Sequence, residues 1–135
     1  MNYNTKVFQV LQTKGLYNVL TNSVLGWMAF KGVCIQTLIG HLSSVTSVIE
    51  LKNGNLASAS DDGTIKIWKA GVCIQTLIGH NNHIHAVIEL NNGKLASASG
   101  DQTIKIWKDG VCLQTLKGHT GYVRSLIELK NGNIT

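Results

Sequence analysis

Gly71–Lys108 reads GVCIQTLIGHNNHIHAVIELNNGKLASASGDQTIKIWK, and it decides the fold because the chain carries it more than once. Gly32–Lys69, GVCIQTLIGHLSSVTSVIELKNGNLASASDDGTIKIWK, is a near-copy, and a further copy starts at Gly110. The leading glycines Gly32, Gly71 and Gly110 are spaced 39 residues apart both times. Between Gly32–Ala70 and Gly71–Asp109, 28 of 39 positions are identical. A period of this length marks a solenoid, propeller or array, whose units bury their apolar faces only by stacking.

Each period reads as short strands and tight turns. In the first, Gly32–Leu38 alternates apolar and polar residues, and Ile39-Gly40-His41 is a turn. Val45–Leu51, Leu56–Ser60 and Thr64–Trp68 follow, rich in β-branched and apolar residues. Asn53-Gly54 is a two-residue hairpin signal, whose favoured turn needs positive φ at both central residues. Asp61-Asp62-Gly63 and Lys69-Ala70-Gly71 are the other turns. One period therefore predicts one four-stranded antiparallel sheet. The next repeats it with Ile84–Leu90, Leu95–Ser99, Thr103–Trp107 and Val111–Leu116, and Val123–Leu129 is the expected strand of a last, partial copy.

Composition narrows the class. With 44% hydrophobic and 14% charged residues, the chain can bury a core and is not a disordered tail. The absence of proline and the 14 glycines suit short strands and glycine turns. Net charge is +5, but the lysines are spread along the chain without a basic cluster, which argues against nucleic acid as the partner. Cys34, Cys73 and Cys112 sit at one equivalent position per copy, so they read as separate, reduced, half-buried strand residues rather than a disulfide or metal set. That points to a reducing compartment, the cytoplasm. The start MNYNTKVFQV lacks the layout of a secretory signal, and Val24–Phe30 is too short to cross a bilayer, so no membrane association is expected.

Residues 1–31 echo the repeat faintly. Set one period upstream, Lys14-Gly15 falls on Asn53-Gly54 and Asn22-Ser23 on the Asp61-Asp62 turn, while Trp27 falls two positions short of Trp68. Val7–Leu11, Leu16–Leu20 and Val24–Phe30 are candidate strands. The segment reads as a degenerate unit or as an N-terminal cap, helical in the alternative, ahead of a repeat domain at 32–135.

Four polar groups recur at fixed spacing: His41, Ser58, Asp62 and Trp68, then His80, Ser97, Asp101 and Trp107, with His119 opening a third set. An imidazole has two nitrogens to satisfy, a carboxylate accepts, and an indole N–H only donates, so each set can close a hydrogen-bond network within its sheet. Ser60 and Ser99 lie on the same strand faces as Ser58 and Ser97 and could take their place.

With its Gly40-His41, Gly79-His80 and Gly118-His119 pairs and its SASDDGTIKIWK and SASGDQTIKIWK segments, the chain resembles the WD-repeat β-propeller family over Gly32–Thr135. The resemblance implies an all-β fold, a partial β-propeller of about three four-stranded antiparallel blades. It also implies a structural role for the His, Ser, Asp and Trp set. The dipeptide that names the family is Trp68-Lys69 and Trp107-Lys108 here. A Ser, His and Asp set also invites a catalytic triad. Its recurrence in every unit argues against that reading, so no enzyme activity and no cofactor are expected. His83 and His85, two apart on a strand, could begin a metal site but have no third ligand in sequence.

Most differences between the two full copies cluster in two places: Leu42–Ser47 against Asn81–Ala86, and Asp61 and Gly63 against Gly100 and Gln102. Both lie at one end of the sheet. By resemblance that end is the face where a peptide or protein partner docks, with Ser44, Thr46, Asp61, His83, His85, Gly100, Tyr122 and Arg124 as contact residues. Tyr and Arg are enriched in binding hot spots. The expected function is a protein-interaction scaffold, of the kind found among signalling scaffolds and ubiquitin-ligase substrate receptors. A propeller closes with about four to eight blades. Two full copies and a partial one are too few, so the chain is expected either to be a fragment of a longer propeller or to complete a ring as a homo-oligomer.

Overall fold

A computed structural model of the chain describes residues 6–13, 16–21 and 34–135. Its strands are β1 (Lys6–Thr13), β2 (Leu16–Thr21), β3 (Cys34–His41), β4 (Val45–Glu50), β5 (Leu56–Ser60), β6 (Thr64–Lys69), β7 (Val72–Ile78), β8 (Ile84–Glu89), β9 (Leu95–Ser99), β10 (Ile104–Lys108) and β11 (Val111–Leu116). No helix occurs among the described residues. The strands form one three-stranded sheet, β2-β1-β3, and two antiparallel four-stranded sheets, β4-β5-β6-β7 and β8-β9-β10-β11, which do not close into a ring.

The sheet does not coincide with the sequence period. The first strand of a copy does not pair with the three that follow it. β3 pairs with β1, and the sheet begun by β4 is completed by β7, the opening strand of the next copy. Turn length explains the offset. Ala70-Gly71 is a two-residue connection between paired Lys69 and Val72, with φ of 47° and 84°, so β6 and β7 fold into a tight hairpin. The Gly-His segment instead carries the chain from the outer strand of one sheet to the inner strand of the next.

The positive-φ pair expected at Asn53-Gly54 is thus found at Ala70-Gly71. At the β4–β5 turn only Gly54 has positive φ, 84°. There the Gly54 N–H donates to Leu51 O at 2.8 Å and the Asn55 N–H to the Asn53 side chain at 2.9 Å. Asn53 spends its side chain bracing the turn and has no need of the left-handed region.

β5 and β9, both LASAS, are buried on both faces, which is why only small residues fit. Ala57, Ala59, Ile65, Ile67 and Leu77 of the first four-stranded sheet pack with Ile84, Val87 and Trp107 of the second. Ala96, Ala98, Ile104 and Ile106 pack with Val123 and Leu126 of the partial copy. Leu38 packs with Val45 and Trp68.

The expected strand Val123–Leu129 is not formed. Only a bridge between Glu128 and Ile134 appears, with Ile127 and Leu129 bonded to Thr135 and Asn133. A strand needs a ladder partner, and Val123–Leu126 have none among the described residues beyond the Val123 N–H to Ser99 O. In the N-terminal segment β1 and β2 cover the strands expected at 7–11 and 16–20. The third, Val24–Phe30, lies outside the described residues. The order β2-β1-β3 differs from that of the other two sheets.

Candidate functional site

Each Gly-His crossover is fastened to the sheet it enters. His41, at the end of β3, places Nε2 2.7 Å from Ser58 Oγ on β5 and Nδ1 2.9 Å from Asp62 Oδ2 in the β5–β6 turn. Trp68 on β6 donates Nε1–H to the same Ser58 Oγ at 2.8 Å. One period on, His80 lies 2.7 Å from both Ser97 Oγ and Asp101 Oδ2, and Trp107 donates to Ser97 at 2.8 Å. The indole edge stands over the preceding glycine: a Cβ on Gly40 or Gly79 would come within 3.0 Å of the Trp68 or Trp107 ring. The Gly-His order is thereby explained, since the crossover must slide under the ring before the imidazole turns inward.

Ser58 and Ser97 occupy the centres of these sets, as opposed to Ser60 and Ser99. Ser60 Oγ instead accepts the Asp62 N–H, and Ser99 Oγ accepts the Asp101 N–H while donating to Asn82 O. A fifth member escaped sequence reasoning. Thr64 and Thr103 donate both N–H and hydroxyl to the turn aspartate, the hydroxyls at 2.6 Å. The signal was available, because a Thr two residues after an Asp is a turn-forming pair and occurs in both copies. His119 is exposed and has no hydrogen-bond partner among the described residues.

The electrostatics fix the protons. Burial is the largest influence on His41 and His80 and lowers both imidazoles below their ordinary value of 6.5, against the opposing pull of Asp62 and Asp101. Burial alone would raise the Asp101 carboxyl. Hydrogen bonds from Thr103, His80 and the Asn81 N–H outweigh it and hold the group down to about 2. Asp62 is lowered in the same way, with Thr64, the Leu42 N–H and His41 overcoming burial. A neutral imidazole beside a carboxylate keeps its proton on Nδ1. Nε2 then accepts from the serine, whose oxygen accepts from the indole, and the relay from Trp through Ser and His to Asp is complete.

This is the connectivity of a Ser, His and Asp triad, but its serine faces inward. Ser58 and Ser97 are 0% exposed, and each oxygen is already an acceptor for a tryptophan. A nucleophile must reach its substrate, and these cannot without opening the sheet.

Most of the positions that differ between copies gather at the same end as the turn aspartates. Asp61 Oδ1 lies 3.1 Å from His83 Nδ1 across the two sheets. The His83 and His85 rings stack at 6.5 Å with 28° between planes, and His85 meets Tyr122 at 6.0 Å and 39°. Three successive copies thus contribute one row: Asp61, then His83 and His85, then Tyr122. His83 and Tyr122 are 56% and 59% exposed, and Arg124 is exposed as well. His85 Nε2 is buried without a hydrogen-bond partner.

The other expected contact residues sit differently. Thr46 turns its hydroxyl to Ala59 O at 3.2 Å and to Ile84 O of the next sheet at 2.5 Å. Ser44 is exposed and accepts the Asp61 N–H with its carbonyl. Gly100 is buried. Its N–H donates to His83 O, and a Cβ there would stand 3.3 Å from the Asn82 amide. Asn82, not foreseen, uses its side-chain oxygen to hold the His83 N–H at 2.7 Å. Among the described residues no group of three His, Cys, Asp or Glu could hold a metal ion. Nor is any helix there long and apolar enough to cross a membrane.

Comparison with known proteins agrees with this construction. The family model for the WD domain, G-beta repeat, matches residues 32–69, 71–108 and 110–134. The F-box/WD repeat-containing protein sel-10 of Caenorhabditis elegans is 32% identical over 68 residues, which is 48% of this chain and 12% of that protein. The solved WD40 β-propeller domain of Doa1 superposes with a TM-score of 0.65 at 34% identity, over 73% of this chain and 34% of that one. The chain therefore spans well under two thirds of either relative, and three matched repeats covering most of its own length make it a member of the WD-repeat family.

Proposed function

We propose that the chain is a non-enzymatic binding module that recognises a peptide or protein segment through the face carrying Asp61, His83, His85, Tyr122 and Arg124. The family context supports the general class, since WD40 propellers mediate protein–protein interaction. The observation that carries the specific reading is the row of rings. Residues common to both copies hold the sheets together, whereas Asp61, His83 and His85, which differ between the copies, join Tyr122 in a partly exposed strip across three copies. Imidazole and phenol rings offer flat apolar area with polar edges, the combination favoured at recognition hot spots. Ser44, Thr46 and Gly100 support this face through their backbone or their neighbours. Residues 1–31 belong with the repeat domain at 32–135 as a degenerate blade portion or a cap. The free thiols of Cys73 and Cys112 fit a reducing, cytoplasmic setting.

Selection of displayed random peptides against the chain tests this. Selected peptides should share a motif, and His83→Ala or Tyr122→Ala should weaken their binding about tenfold or more without changing the circular dichroism spectrum. Peptides that bind equally well to both variants would overturn the assignment of the face.

A further inference from the structure

Between the first and second four-stranded sheets, on the face that carries the row of rings, lies a cavity of about 380 Å³. One wall is the Asp61-Asp62-Gly63 turn of the first sheet, and the other is the His80–His83 approach to the second. Both walls belong to complete copies. Gly63 is buried, and a Cβ on it would stand 3.4 Å from His80 O and 3.5 Å from Asn82 O, so the turn lies directly against those two carbonyls.

The two aspartates of the turn differ in how they are used. Both oxygens of Asp62 are committed: Oδ2 accepts from His41 Nδ1 and the Leu42 N–H, and Oδ1 accepts the Thr64 N–H and hydroxyl. The Asp61 side chain takes no part in that network. Among the described residues, the polar side-chain neighbour of its carboxylate is His83 Nδ1, 3.1 Å from Oδ1, and Oδ2 accepts no hydrogen bond. The side chain is only 25% exposed, so this oxygen has little water to replace the missing donor. His80 O likewise accepts no hydrogen bond among the described residues, and Asn82 O accepts the Ser99 hydroxyl alone. The cavity is therefore rich in acceptors, with one uncommitted carboxylate among them, and exposed Asn81 and His83 stand at its edge.

We propose that this cavity takes the guanidinium of an arginine side chain of the bound peptide, with Asp61 Oδ2 and the His80 carbonyl accepting its N–H groups. The proposal rests on the peptide-binding reading and names the residue a peptide needs at one position. A guanidinium is a planar fork of five donors with no acceptor, which suits a site of acceptors, and its charge is met by the carboxylate. The junction between the second and third copies does not repeat the site, because Gly100 stands in the place of Asp61 and Gln102 in that of Gly63. One basic anchor follows, rather than a run of them, and the net charge of +5 disfavours a polybasic partner in the same sense.

Amide chemical-shift titration of the whole chain with N-acetylarginine methylamide tests this, with N-acetylcitrulline methylamide, its neutral isostere, as the comparison. The arginine probe should shift the Gly63, Asn82 and His83 amides, saturate in the millimolar range, and bind at least about tenfold more tightly than the citrulline probe. Asp61→Asn should bring the two probes to within about twofold of each other, with circular dichroism unchanged because Asp61 lies outside the relay. The citrulline comparison is made on wild type and does not depend on that variant folding. An arginine probe that leaves Gly63 and His83 unmoved, a citrulline probe that binds as well, or a preference that survives Asp61→Asn would each overturn the proposal. Those outcomes are distinct from failure of the peptide-binding reading, which shows as selected peptides indifferent to His83→Ala and Tyr122→Ala.

Discussion

Replacing Ser97 by alanine removes one hydroxyl and orphans two buried groups. Its oxygen is the acceptor for Trp107 Nε1–H, and its proton is the one His80 Nε2 accepts. Ser97 and Trp107 are 0% and 1% exposed, so water does not replace either bond without opening the sheet. Each unsatisfied group costs about 1–3 kcal/mol, which sets the expected loss at about 2–6 kcal/mol. Ser125→Ala, at an exposed serine, should stay within about 0.5 kcal/mol of wild type. Urea denaturation followed by far-ultraviolet circular dichroism at low protein concentration reads both. A double-mutant cycle adds resolution. Trp107→Phe in the Ser97→Ala background deletes one orphan, so the pair should cost less than the sum of its parts by about 1–2 kcal/mol. A Ser97→Ala variant as stable as Ser125→Ala, or a strictly additive cycle, would refute the closed relay.

Acidification should destabilise the chain in two stages. His41 and His80 have folded values below 6.5, so the unfolded chain binds protons first, and stability falls as pH drops below about 6.5. Asp101 then contributes up to about 2 kcal/mol, lost between about pH 3.8 and 2; melting temperature against pH checks both, and a melting temperature flat from pH 7 to 5 would contradict the first. Ala70 sits at φ 47°, where the second copy has Asp109 at 49°. Ala70→Asn should therefore stabilise by about 0.5–1 kcal/mol in the same urea assay, because asparagine tolerates the left-handed region better.

The blade-building residues are legible in the sequence itself, because identity between copies singles out what construction requires. His41, Ser58, Asp62 and Trp68 stand out this way, and so do the turn aspartates. What escapes a sequence reading is relational. The offset between period and sheet depends on which turn is tight, and Ala70-Gly71 carries a weaker local signal than Asn53-Gly54. Val123–Leu129 has a strand's composition, but a strand exists only with a ladder partner, which composition does not report. Thr46 and Gly100 resemble contact residues because they vary. In three dimensions one reaches across to Ile84 O and the other makes room for Asn82. Variation between copies marks freedom from the shared construction, and only geometry separates a contact from a local adjustment.

Labour is divided along the chain: shared residues build the sheets, and we propose that the differing residues at the Asp61 end recognise a partner. Amide chemical-shift mapping with a selected peptide probes that division without intermediaries. The Ser44, Asp61, His83, Gly100 and Tyr122 amides should shift, while the Asn53-Gly54, Asn92-Gly93 and Asn131-Gly132 turns at the far end of the sheets stay still. Shifts confined to those three turns, with the His83 and Tyr122 amides unmoved, would contradict it.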